Sequence, residues 1–247
     1  METPLYPRAF RLDLLSFTGT RRKFEEGIGQ VEMTEQSKLF RKETPMFPLG
    51  SVLFPGVTLP LNIFEERYRS LAKRCVNNEE PFGVVLIEKG HEVGGGDVRS
   101  SVGCLARIIE HREFPDGRWA LLIRGESRIL VEEWLDDDPY PNAVITDLPD
   151  DDCPLSMDRC MEVLKRLTAL TVAAKSAGYE MPIIDAEALA VGVDAEELGY
   201  RIAHLTPAGS FDRQKILTRS NSAERLDCIE ELVVGLEEVL EAMRDKE

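Results

Sequence analysis

Three histidines, a Lys-Ser pair, a run of three glycines and five cysteines are the residues of this 247-residue chain whose types lend themselves to catalysis or ligand capture. His91, His111 and His204 lie far apart and show no metal-ligand spacing. A Ser-His-Asp arrangement can assemble from distant positions, but the chain has no Gly-x-Ser-x-Gly elbow to expose a nucleophile. Each histidine therefore reads as a surface or hydrogen-bonded structural residue. Lys175-Ser176-Ala177-Gly178 sets a lysine directly beside a serine. A lysine that activates a serine must reach it across space, and this pair falls at the C-terminal end of an expected helix, so it reads as a helix stop. Gly94-Gly95-Gly96 would cradle phosphate only between a strand and a helix and with a Gly-Lys-Ser/Thr sequence. A strand follows instead, so the glycines read as the tip of a hairpin loop.

Cys75, Cys104, Cys153, Cys160 and Cys228 include no Cys-x-x-Cys pair. An odd, unpatterned set predicts buried, reduced thiols in a cytoplasmic protein, and it lacks the ligand spacing of a structural zinc site. The formal net charge of −15 disfavours nucleic acid, because phosphate binding needs clustered Lys and Arg. Two acidic runs, Asp136–Asp138 and Asp150–Asp152, read as solvated loop acids. The alternative, a weak divalent-cation site, has neither the glycine nor the distal glutamate of an EF-hand loop. No run of about 18 apolar residues suits a membrane span, and Arg11 and Asp13 interrupt the apolar residues near the N-terminus, so no secretory signal is expected. No membrane partner is expected either.

The elements that would position these residues begin at Met46. Phe47, Leu49, Val52, Leu53 and Phe54 form an apolar, strand-like run ended by the turn signal Pro55-Gly56. Val57, Leu59, Leu61, Ile63 and Phe64 resume it, and Glu65-Glu66 open a helix with Tyr68, Leu71, Ala72, Cys75 and Val76 on one face. Phe82–Ile87 is a short strand. Cys104–Phe114 and Trp119–Gly125 flank Pro115-Asp116-Gly117-Arg118, a hairpin signal. Two further strands are expected over Arg128–Leu135 and Ala143–Leu148. Six or seven short strands broken by one helix predict a closed or nearly closed barrel.

After Asp150 the period changes from two to 3.6. Ser156 caps a helix with Met157, Cys160, Met161, Leu164, Leu167 and Thr171 on one face, stopped at Gly178. Short helices follow near Ala186–Val191, after Asp194 and after Asp212. In the last helix Leu226, Ile229, Val233, Leu236, Leu240 and Met243 recur at steps of 3 and 4, a seam that packs on another helix. That partner is expected to be the Met157 helix; a dimer zipper is the alternative. Residues 1–44 lack periodicity and read as a flexible arm, with Met33 as an alternative start. Residues 45–150 form the β half and 151–247 the helical half.

The order Val52, Phe54-Pro55-Gly56, Pro60-Leu61, Tyr68, Leu71 resembles the opening of the LON domain, the substrate-binding domain of Lon proteases. Gly125, Arg128 and Val131 resemble a further family pattern, as do Gln214, Leu217, Arg225 and Leu226 in the helical half. The resemblance spans Met46 to Met243. It implies an α+β fold, a PUA-like β-pseudobarrel followed by a helical bundle, and a non-catalytic module that binds unfolded or exposed peptide segments, in concert with a protease or chaperone. Arg128 is either a ligand group or, as preferred here, an ion-pair partner that closes the barrel. The chain has no Gly-x-x-x-x-Gly-Lys-Ser/Thr loop for an ATPase part. Alternatives are a hydrolase with an unrecognised site in the cleft between the halves and, by fold analogy alone, an RNA-binding protein. The sequence assigns no catalytic, cofactor-binding or metal-binding residue, no cofactor and no oligomeric state, and it leaves the ligand-contacting residues unassigned.

Overall fold

Two sixteen-residue strands, β4 (Val98–Glu113) and β5 (Trp119–Trp134), dictate the β part. The computed structural model of the chain describes residues 42–90 and 96–244. The expectations for the N-terminal arm, Met33, His91, Gly94 and Gly95 lie outside the described residues. The remaining strands are β1 (Lys42–Leu49), β2 (Thr58–Ile63), β3 (Phe82–Lys89) and β6 (Asn142–Asp147), with helix α1 (Glu66–Asn78) between β2 and β3. The helical part comprises α2 (Met157–Ser176), α3 (Ala186–Ala190), α4 (Ala195–Leu205), α5 (Ser210–Leu217) and α6 (Ser222–Arg244). The architecture is α+β.

The strands run β2-β5-β4-β3-β1-β6, and β5 also pairs with β6. That extra pairing closes β5, β4, β3, β1 and β6 into a ring and leaves β2 outside it, attached to the first half of β5. Closure removes the unpaired edges of the ring strands. β1 lies parallel to β3 and antiparallel to β6; the other pairings are antiparallel.

Four expectations about the elements need correction. The strands expected at Trp119–Gly125 and Arg128–Leu135 are one strand. The polar Gly125-Glu126-Ser127 segment looks like a break, yet it stays in the sheet because the Gly125 N–H donates to the Val57 carbonyl and its carbonyl accepts from the Gly56 N–H, both at 2.9 Å. Pro55-Gly56 makes a turn, with Gly56 at a φ of +74° that suits glycine, but it does not join two paired strands. β1 begins earlier than expected and ends at Leu49, while Val52, Leu53 and Phe54 are buried in the connection beyond it. Helix α5 starts at Ser210, so Asp212 sits in its first turn and pairs with Lys215 at 3.0 Å instead of capping it.

Helix α1 follows its sequence pattern: Tyr68, Leu71, Ala72 and Cys75 are buried against Phe47, Phe82, Trp119, Leu121 and Ile123. The central strand segment Trp119–Ile123 owes its apolar character to this packing. A second core joins Val52, Phe54, Val57 and Leu86 of the β part to the bundle residues Leu164, Leu167, Leu198, Ile202, Ile216 and Ile229. Each large side chain buried there contributes roughly 1.5–3 kcal/mol. Helix α6 packs on α2, as the seam predicts. The ion pairs Arg159–Asp227 and Arg166–Glu237 advance together along both helices, so the two run parallel.

A Cβ added at Gly125 would meet the Phe54 carbonyl oxygen and the Cys104 sulfur far inside contact distance. Gly125→Ala should therefore push the Phe54–Val57 turn off the strand and destabilise the fold by about 1–3 kcal/mol, read as a lower urea midpoint with an unchanged slope.

Candidate functional site

Where the turn Pro55-Gly56 meets Gly125, the outer surface of the β4–β5 pair faces the first turn of α4 across a groove of about 380 Å³. Arg107, Ile109, Arg124 and Glu126 form the strand wall; Asp194, Glu196, Glu197 and Tyr200 form the helix wall. The helix wall is built by local chemistry. The Asp194 carboxylate accepts the Glu197 N–H at 2.8 Å and caps α4 as its sequence predicts, and Glu196 and Glu197 follow at the positive end of the helix dipole. Glu197 Oε1 then accepts hydrogen bonds from Arg124 across the groove at 3.0 Å and from Arg201 at 2.9 Å. The Glu197 side chain lies over Gly56, where a Cβ would crowd it. On the strand wall Arg107 pairs with Glu126 and donates to the Glu79 carbonyl at 3.2 Å.

Behind this wall the two halves of the fold are joined by a nearly buried charge cluster. Arg128 donates to Asp150 Oδ1 at 2.6 Å, to the carbonyls of Leu217 and Arg219 at 3.0 and 2.7 Å, and to the Pro149 carbonyl at 3.2 Å. Arg225 donates to both oxygens of Asp150 and lies 4.5 Å over the Tyr200 ring. Arg128 is thus an ion-pair partner, as preferred from the sequence, but it ties the barrel to the helices and does not close the barrel. Asp150 is not a solvated loop acid either. Its partners lie in elements 22 and 75 residues away, which the run of three aspartates could not reveal. The other run, Asp136–Asp138, is exposed as expected, with Asp137 paired to Arg99 at 2.7 Å. Burial, with Asp150 nearby, raises the Glu196 carboxyl above the usual carboxylate range, and burial raises the Tyr200 hydroxyl.

The residues with catalytic character stand elsewhere. His111 is exposed on β4, 5.9 Å from the Trp119 ring. His204 is largely enclosed at the end of α4; burial, assisted by Arg213, lowers it to about 4. Ser176 donates to the Val172 carbonyl at 3.0 Å within α2, as befits a helix end. Burial raises the Cys75 thiol to about 12 and the Cys160 thiol to about 11, which makes both poor nucleophiles. Cys104 and Cys228 are also buried, but Cys153 is exposed, against the expectation for all five. The groove lining contains no Ser, Cys, His or Lys. Among the described residues no group of three or more His, Cys, Asp or Glu is arranged to hold a metal ion, and no helix is long and apolar enough to cross a membrane. Sequence reasoning singled out Pro55, Gly56, Gly125 and Asp194 but missed Arg107, Arg124, Glu196 and Glu197; the one local signal was two glutamates directly after a capping aspartate.

The sequence model of the ATP-dependent protease La (LON) substrate-binding domain matches residues 43–235. The chain belongs to this family. The LON domain identified here is 26% identical over 220 residues to a Lon protease of Cytophaga hutchinsonii, covering 87% of the chain and 27% of that protease. It is 30% identical over 209 residues to a Lon protease of Parabacteroides distasonis, covering 82% and 24%. The chain thus spans about a quarter of the length of these curated relatives. Among solved structures, a Lon N-terminal domain protein from Xanthomonas campestris superposes with a TM-score of 0.56 at 28% identity, covering 75% of this chain and 95% of that one. The N-terminal domain of a Mycobacterium avium complex Lon protease shares the fold at a TM-score of 0.54 and 14% identity, with 78% and 98% covered. The family match is confined to the substrate-binding domain; the ATPase and protease parts of Lon are not covered by this chain.

Asp150→Asn leaves two nearly buried guanidinium groups without their shared carboxylate. The expected loss is about 3–5 kcal/mol of unfolding free energy, measured by urea denaturation at pH 7. For His204 the folded value lies below the unfolded 6.5, so the unfolded chain binds the extra proton. Its contribution to stability is complete above pH 6.5 and is lost as pH falls from 6.5 towards 4. His204→Gln should flatten the pH dependence of the melting temperature relative to the parent within that window and leave it unchanged above pH 7.

Proposed function

We propose that the chain is a non-catalytic recognition module that holds an extended, unfolded segment of a client protein in the groove between the β4–β5 surface and α4. The observation that carries the reading is the lining itself. It combines the exposed Ile109 side chain, the largely buried Tyr200 ring and the Pro55-Gly56 turn with charges that are mostly already paired, and it has no Ser, Cys, His or Lys. Such a surface contacts main chain and varied side chains without demanding one sequence. Membership of the LON substrate-binding family supports the same reading, with a protease or chaperone as the recipient of the client. The excess of acidic residues argues against nucleic acid as a partner. The reading takes the protein to be cytoplasmic, in keeping with five unpaired cysteines.

The test uses a permanently unfolded probe, fluorescein-labelled reduced and carboxymethylated α-lactalbumin, titrated with the full chain by anisotropy. Saturable binding is expected, weakened about tenfold by Ile109→Asp and by Arg124→Glu, with no new fragments on a gel after overnight incubation. Binding indifferent to both substitutions would remove the groove from the reading, and cleavage abolished by Glu196→Gln would replace it with a hydrolase.

A further inference from the structure

Helix α6 carries two seams, and only one is spent on its neighbour α2. The first, Leu226 to Met243, faces α2, and its edge residues Glu230 and Glu237 pair with Arg159 and Arg166. The second is Cys228, Leu232, Gly235, Val239 and Ala242, again at steps of 4, 3, 4 and 3. Cys228 is buried and Leu232 packs on the helical core. From Gly235 onward the cover ends: nothing lies within 4 Å of a Cβ placed on Gly235, Val239 is 52% exposed and Met243, at the border of the two seams, 48%. Glu231 and Glu238 stand one heptad apart along the outer rim, exposed and without ion-pair partners among the described residues.

We propose that this second seam is a docking site for an amphipathic helix with a basic edge, supplied by another protein. A repeat of 4 and 3 fits knobs from a helix and cannot register with a strand. The open space at Gly235 lets a partner backbone approach closely. The paired acids at one rim select Lys or Arg on the partner and repel an acidic one. A second copy of this chain would bring the same acidic rim and would set Glu231 and Glu238 against like charges. The site is separate from the groove and stands whether or not client binding there is correct.

Fluorescent 18-residue helical peptides provide the probe: a Leu-Lys amphipathic sequence, the same sequence with Glu for Lys, and a scrambled Leu-Lys control. By anisotropy the full chain should bind the amphipathic Leu-Lys peptide at least tenfold tighter than the scrambled one. Val239→Glu should weaken it at least tenfold, Glu231→Lys with Glu238→Lys should transfer preference to the Leu-Glu peptide, and Ile109→Asp in the groove should leave binding unchanged. The substituted positions are exposed, so unaltered circular dichroism melting confirms that each variant folds. Equal binding of the scrambled peptide, indifference to Val239→Glu, or loss on Ile109→Asp would overturn the proposal. So would a dimer of the parent in sedimentation velocity that Val239→Glu disperses, which would assign the face to a second copy.

Discussion

Asp150 holds the two halves of this fold in register. Its carboxylate accepts from Arg128 on the barrel and from Arg225 on α6, and Glu196 stands 3.7 Å from Arg225 as a second, more distant acid. Two cations and a carboxylate taken out of water lose hydration worth several kcal/mol each. The cluster is tolerable because its donors are matched: Arg128 also serves the carbonyls of Leu217 and Arg219 at the end of α5, where the helix dipole is negative. Such a cluster adds less stability than an apolar plug of the same size would. What it adds is geometry, since a one-residue slip of the helices against the barrel would strand two guanidinium groups.

The groove depends on that geometry. Tyr200 lies beneath Arg225 and beside Phe54, whose ring centre is 6.2 Å away. The position of α4, and with it Glu196 and Glu197, is therefore referred to the Asp150 cluster on one side and to the Phe54–Gly56 turn on the other. Gly125 completes the arrangement by letting that turn bond directly to β5. Residues that the family resemblance marks as a motif thus act as spacers: they set the distance between two walls whose facing side chains differ in type.

Local chemistry was legible in the sequence. The amphipathic stripe of α1, the Asp116-Gly117 hairpin, the Asp194 cap and the seam of α6 each depend on neighbours within a few residues, and each stands where its pattern put it. Long-range pairing was not legible. The Gly125-Glu126-Ser127 segment looked like a break between two strands because the partners of Gly125, Val57 and Gly56, precede it by some seventy positions. Arg124 and Glu197 are 73 residues apart, and Arg225 and Asp150 are 75. Charged residues spaced like that read as surface until a fold brings them together, so the groove could be expected between the halves but not lined from the sequence.

The ring of strands closes through β6, the last strand made. Until Asp147 has left the ribosome, the second half of β5 has no neighbour on one side and the early part of β1 has none, because both await the same strand. A nascent chain therefore carries an incomplete barrel through most of its synthesis, with Ile129 and Val131 still lacking their Ala143 and Ile145 neighbours. Non-local closure of this kind is slow and exposes strand edges to stray pairing.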